Sequence, residues 1–169
     1  MKTLQKSLWY GLLLASVAGG ALGQDFKVGY INTQRITTES APAKAAQGKL
    51  EQEFSKRQKE LTELQPALKA AYEKFERDAP TLSESQRLAR QKELSDRDRE
   101  FKRKSSEFAD DLNARRTEEL QQVIDRANKA MKQVADSEKY DMVIQEVAYQ
   151  NGKHDITDKV LKILNAAGK

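Results

Sequence analysis

The sequence predicts an α+β fold: a long antiparallel helical hairpin, a coiled-coil arm, inserted in a small β body. Three observations predict it. Two long stretches, nearly free of proline, repeat apolar residues in heptads and face each other across a short turn. A strand-like segment flanks this pair on each side, Phe26–Ile31 before it and Tyr140–Tyr149 after it. So few strands make no stable sheet alone and their edges need cover, which argues that several chains pool them.

The chain opens with Lys2 and Lys6, an apolar run from Leu8 to Ala18 too short to span a bilayer, and Ala21-Leu22-Gly23 as a small-x-small cleavage pattern. Residues 1–23 therefore read as a signal peptide, with Gln24 starting the mature chain; an uncleaved membrane anchor is the alternative. No other segment is apolar enough to cross a membrane, so the mature chain is expected to be exported and soluble. Losing Lys2 and Lys6 takes the formal net charge from +4 to +2, because every acidic residue lies further on. A near-neutral exported chain is a poor nucleic-acid binder. There are no cysteines, so disulfides cannot staple the fold.

Phe26-Lys27-Val28-Gly29-Tyr30-Ile31 alternates apolar with polar or small residues and reads as the first strand. Thr37, Thr38 and Ser40 are candidate caps ahead of Pro42, which suits a first helical turn. Helix one then runs to about Arg77 with the stripe Leu50, Phe54, Arg57, Leu61, Leu64, Leu68, Ala71 and Phe75. Pro66 interrupts it, removing a backbone hydrogen bond, so a kink near Thr62–Pro66 is expected; it is either a hinge or a tolerated irregularity. The tip lies near residues 78–84. Ser83 with Gln86 and Thr81 with Glu84 have capping-box spacing, which starts helix two near residue 83. Its stripe is Leu94, Asp98, Phe101, Ser105, Phe108, Leu112 and Arg115, and it continues to about Asp136. Helix two is the longer, and folding back at Thr81 sets Pro42 beside about Leu120. Near Glu119–Leu120 the stripe shifts phase and grows more apolar through Val123, Ile124, Ala127, Met131 and Val134, so this part should pack on the body. Tyr140–Tyr149 reads as a strand, Gln150–Lys153 as a turn, and Asp155 or Thr157 as the cap of a last helix with Val160, Leu161, Ile163 and Leu164 on its apolar face. The expected organisation is a hairpin over 41–119 and a body from 24–40 and 120–169.

Little here points to chemistry. One histidine, His154, in a polar turn, and no cysteine exclude a Cys-His dyad and leave no metal-ligand set. The carboxylates lie among lysines and arginines on helices, as on a solvated face. No phosphate-cradling glycine motif occurs. Neither an enzyme nor a cofactor is expected; the chain should act by binding.

The chain resembles the Skp/OmpH family of periplasmic chaperones. The resemblance rests on the signal peptide, the opening FKVGYINTQRI, the charged heptad hairpin and the tail VIQEVAYQNGKHDITDKVLKIL, of which the tail is the most specific. It covers the whole mature chain. It implies a homotrimer in which strands of three chains form a small barrel, with three helical tentacles enclosing a cavity for unfolded outer-membrane proteins. Val28, Tyr30, Val143, Ile144, Val147, Leu161 and Leu164 would then build the trimeric body.

Candidate contacts follow from position. Tyr72, Phe75, Leu82 and Leu88 lie at the tip and are candidates for client binding; Phe75 belongs to the heptad stripe and should pack inward, and closing the hairpin end is the plainer role for all four. Arg97, Arg99, Lys102, Arg103 and Lys104, extended by Arg87, Arg90 and Lys92, form a basic face. That face is either simply solvated or meets anionic partners; the resemblance favours lipopolysaccharide or an anionic lipid surface among them. Three readings compete: an ATP-independent holdase for unfolded outer-membrane proteins, a structural coiled-coil spacer, and an envelope-surface binder using the basic face alone.

Overall fold

The computed structural model describes residues 26–167; the signal-peptide reading for 1–23 lies outside them. A short strand, β1 (Val28–Tyr30), leads into helix α1 (Thr33–Glu39) and then α2 (Ala41–Asp78). A 3-10 turn, Ala79–Thr81, connects to α3 (Glu84–Glu138), followed by β2 (Met142–Ile144) and α4 (Thr157–Ala166). The arm is thus 38 residues of α2 folded against the first part of a 55-residue α3, about 57 Å against 82 Å at the usual helical rise.

Each expected stripe residue of the arm is buried or half-buried, from Leu50 to Phe75 and from Leu94 to Arg115. The tip capping box forms: the Ser83 hydroxyl accepts from the Gln86 N–H, and the Gln86 side chain accepts from the Ser83 N–H at 3.0 Å. Pro42 stands beside Glu119, Gln122, Val123 and Arg126, close to the expected alignment.

β1 and β2 pair in parallel, Val28 with Met142 and Tyr30 with Ile144. On the other side of β1 the segment 154–156 docks: the Tyr30 N–H donates to the His154 carbonyl at 2.7 Å, and the Ile156 N–H donates to the Tyr30 carbonyl at 2.9 Å. The outer edge of β2 is left without a strand partner among the described residues. Gly29 is required between these layers, since a Cβ there would meet Ile156 Cδ1 at 3.1 Å and the Tyr140 ring at 3.3 Å. The core below joins Ile31, Ile36, Ala130, Val134, Ile156, Val160, Leu161 and Leu164. The body is therefore built from α1, α4, the C-terminal part of α3 and the strands.

Three expectations are corrected. Thr37 and Thr38 do not cap a helix; they lie inside α1, and their hydroxyls donate back to the carbonyls of Thr33 and Gln34, as threonines within helices do. Ser40 alone caps α2, accepting from the Ala43 N–H at 3.3 Å. The second strand is short: after Ile144 the chain leaves the ladder and Gln145–Tyr149 is exposed. The cap position of α4 is Ile156; Asp155 accepts from the Thr157 N–H at 2.8 Å, while the Thr157 hydroxyl is turned to the Asn32 N–H at 2.9 Å, tying α4 to α1.

Candidate functional site: the arm and its neck

The arm is a two-helix seam, and two helices cannot enclose large side chains on all sides. Only Phe54 and Leu94 on the expected stripes are buried; Leu50, Leu61, Leu64, Leu68, Phe75, Phe101, Phe108 and Leu112 stay half-exposed. Phe54 and Phe108 meet edge to face with centroids 5.8 Å apart, and the Arg57 guanidinium sits over both rings while reaching Asp111 at 2.8 Å. This accounts for an arginine in an apolar register: its charge leaves the seam while its plane covers it.

At the tip, Phe75 and Leu82 line one small groove with Ala71 and Leu94. Tyr72 faces solvent, and Leu88, 60 % exposed, is the most open apolar side chain on the arm. The four tip candidates thus divide into an inward pair and an outward pair.

The basic face is neutralised locally. Arg97 meets Glu93 at 2.6 Å, Arg99 meets Asp96 at 2.6 Å, Lys102 meets Asp98 at 2.7 Å and Arg103 meets Glu107 at 2.8 Å. Lys104 crosses the seam to Glu60 at 2.6 Å, and Arg90 reaches Glu93 at 2.9 Å. The pairing acts on titration: hydrogen bonds from Arg90 and Arg97 hold Glu93 below the ordinary carboxyl range, and Lys104 does the same to Glu60. Lys102 is raised by Asp98 and Lys104 by Glu60. Arg87 and Lys92 have no ion pair among the described residues.

α2 continues unbroken through Pro66, which is exposed, as is Thr62, whose carbonyl has lost its helical partner and can turn to water.

The neck holds the residue that sequence reasoning missed. The stripe of α3 steps from Arg115 to Glu119, Val123 and Ala127 in fours, an added residue in the heptad rhythm. At that shift Glu119 is only 4 % exposed, its carboxylate shared by Lys49 and Arg115, each at 3.2 Å. Arg115 also binds Glu53 at 3.2 Å and pairs with Glu118, and hydrogen bonding to Glu53 raises it further. The phase shift was visible in the sequence, but not the burial of this glutamate.

The body candidates separate likewise. Leu161 and Leu164 are in the core and Val143 packs against it. Val28, Tyr30 and Ile144 are half-buried, and Val147 is exposed. Phe26, Met142 at 49 % and Tyr149 at 83 % add exposed apolar surface on and beside the strands. His154 donates from Nδ1 to the Val28 carbonyl at 3.0 Å, a structural use. Among the described residues no cluster of acidic or histidine side chains is placed to hold a metal, and no helix is long and apolar enough to cross a membrane.

A seam without a reactive pocket has a counterpart among known proteins. Residues 27–164 match the family described as Outer membrane protein (OmpH-like). The chaperone protein Skp of Photorhabdus luminescens is 33% identical over 164 residues, covering 96% of this chain and 98% of that protein. The chaperone protein Skp of Escherichia coli strain K12 is 30% identical over 155 residues, covering 90% and 92%. The crystal structure of a putative outer membrane chaperone (OmpH-like) from Caulobacter crescentus superimposes with a TM-score of 0.69 at 22% identity, over 83% of this chain and 84% of that one, which shows the fold. With the family match spanning arm and body and relatives aligned almost end to end, the chain belongs to the Skp/OmpH family of chaperones.

Proposed function

We propose that this chain is an ATP-independent periplasmic holdase that holds unfolded outer-membrane proteins between its arms and keeps them from aggregating before membrane insertion. The observation that carries the reading is the half-open seam. A line of leucines and phenylalanines runs the length of the arm, left half-exposed by a partner helix too narrow to cover it and bordered by charges that are already paired. Such a line offers apolar contact to an alternating apolar strand without fixing its sequence. The exposed Leu88 and Tyr72 add apolar surface beside the tip, and Pro66 is the hinge that lets the arm adjust to clients of different size.

The body is read as a homotrimer. The unpaired edge of β2 and the exposed Phe26, Met142, Val147 and Tyr149 are surface that a monomer leaves wet, and pooling strands from three chains covers it. The boundaries that go with this reading are 41–119 for the arm and 24–40 with 120–169 for the body.

The test is the native mass of the mature protein with and without an unfolded porin, alongside light scattering of that porin. The mature chain lacks tryptophan, since Trp9 lies before residue 24, so a client's tryptophan emission is read without background. The expected result is a trimer that takes up one client, keeps it unfolded and suppresses scattering at a fixed ratio per trimer. A protein that binds no client and leaves scattering unchanged is a spacer; one that binds anionic vesicles alone is a surface binder. Either outcome overturns the proposal.

A further inference from the structure

Where α2 leaves the body, a groove of about 590 Å³ opens between the first turns of α2, the C-terminal part of α3 and the end of α4. Small side chains give it depth: Ala41, Pro42 and Ala45 on one wall and Ala130 on another, with Ile163 and Leu164 as its floor. The volume lies in the range of sites that take a few side chains or a small ligand. Arg126, Lys129 and Gln133 follow one another along one face of α3 and form its polar rim.

The charge of this rim distinguishes it. The grooves along the arm and at the neck shown by the structure bring carboxylates beside their cations: Asp78 and Glu93 at the tip, Glu100 and Glu60 further along, Glu119 at the neck. Among the described residues the body groove brings two cations and no carboxylate of its own, although Arg126 also lines the neck groove that holds Glu119. Neither Arg126 nor Lys129 has an ion pair among the described residues, although most cations of the arm do. The first amides of α2 are not the anion donors here. The Ala41 N–H is taken by Asn165 at 2.7 Å, the Ala43 N–H by the Ser40 hydroxyl, and Pro42 has none. The free donors of the groove are side chains.

We propose that this groove docks a short segment of another protein in which an apolar side chain stands next to carboxylates. The apolar side chain seats among Ala45, Ala130, Ile163 and Leu164, and the carboxylates meet Arg126 and Lys129. A peptide fits better than an acyl chain. The groove is open along one side, which leaves methylenes of a lipid tail in water but suits a backbone, and Gln133 offers an amide to it. The surface lies where the arm joins the body and is distinct from the seam to which the proposed function assigns clients.

The probe is the fluorescein-labelled peptide Gly-Ser-Asp-Phe-Glu-Leu-Ser-Gly, its twin with Asn and Gln replacing the acids, and laurate as competitor, titrated into the full mature protein by anisotropy. Saturable binding of the acidic peptide is expected, with about tenfold weaker binding of the twin and of the variant R126Q/K129Q. Ala45→Leu, an exposed helical position that fills the groove, should weaken binding by a similar factor while the fold stays intact. Suppression of porin aggregation should be unchanged in both variants. Absence of saturable binding, equal binding of the two peptides, or wild-type binding by both variants overturns the proposal. Displacement by laurate at lower concentration than the unlabelled peptide overturns it in favour of a lipid. Joint loss of peptide binding and aggregation suppression overturns the claim of a separate surface.

Discussion

Replacing Glu119 tests how the arm is joined to the body. Two cations at 3.2 Å each give a gross attraction of about 5 kcal/mol apiece at an effective dielectric constant near 20. Most of this is offset by the desolvation of a carboxylate that is 4 % exposed. Removing one member of a fully buried pair commonly costs about 3–5 kcal/mol, because its partner is stranded. Here the partners are not stranded. The Lys49 side chain is 56% exposed, and Arg115, at 32%, keeps Glu53 and Glu118. Glu119→Gln, which keeps the shape and an acceptor, is therefore expected to lower stability by only about 1–2 kcal/mol. Glu119→Leu extends the apolar stripe into Val123 and should lie within about 1 kcal/mol of the parent, or above it. Urea unfolding followed by helical circular dichroism at fixed protein concentration measures both, and amide exchange over 112–126 reports whether the neck loosens first. If Glu119→Leu is the more damaging of the two, the carboxylate is a net stabiliser of the neck and the reasoning fails.

Three further outcomes are expected. Gly29→Ala must displace Ile156 and the Tyr140 ring and should cost about 1–3 kcal/mol, read in the same urea series; an unchanged midpoint would show that the layers can part. Pro66→Ala restores the bond to the Thr62 carbonyl, so amide exchange around Thr62 should slow and the spread of the arms narrow, and no change in either removes the hinge. The pH dependence has a sign at each end. Glu60 and Glu93, lowered from 4.5 by their cations, contribute stability that is present above that value and lost as pH falls through their lower folded values; Lys102 and Lys104, raised from 10.5 by their carboxylates, contribute stability that is present below that value and lost above it. Thermal unfolding of the arm should therefore be flat between those limits and fall outside both, with modest slopes because the pairs face solvent.

What was legible in the sequence was what repeats at short range. Heptads place a residue on one side of a helix whatever else the chain does, and the positions from Leu50 to Phe75 and Leu94 to Arg115 turned inward as their spacing requires. The tip was legible because its capping box lies within four residues. Helix α1 was not, since the threonines of Thr33-Gln34-Arg35-Ile36-Thr37-Thr38 favour caps and strands, and only packing of Ile36 into the core outweighs that. The short ladder of β2 and the pairing of 154–156 with β1 depend on backbone bonds across more than a hundred positions, which leave no side-chain pattern. The charge of Arg97 to Lys104 was legible, and so was the spacing of three or four residues that pairs Arg97, Arg99, Lys102 and Arg103 along α3; the pair of Lys104 with Glu60 was not, because Glu60 reaches it from the other helix. The groove by Ala45 and Arg126 comes from three elements and no motif.

The division of charge bears on how the holdase proposed above, acting without ATP, would let a client go. Covering the exposed half of a leucine or phenylalanine removes an area worth roughly 1 kcal/mol at the usual apolar coefficient. Eight such residues stay half-open along one arm. In the proposed trimer, a client strand that touched a few of them on each arm would gain enough in sum to be held against aggregation, after the entropy of association is subtracted. No single contact is strong enough to slow its exchange. A client can therefore be passed on contact by contact as a better apolar surface takes each strand. Strong free charges along the arm would spoil this, since each would hold an acidic client residue by an attraction that depends on its sequence. Pairing Arg97, Arg99, Lys102, Arg103 and Lys104 within the arm removes that selectivity and leaves solubility. On the proposed reading, the unpaired cations of the body groove lie off the client seam, where selectivity for one acidic segment would cost the arms nothing.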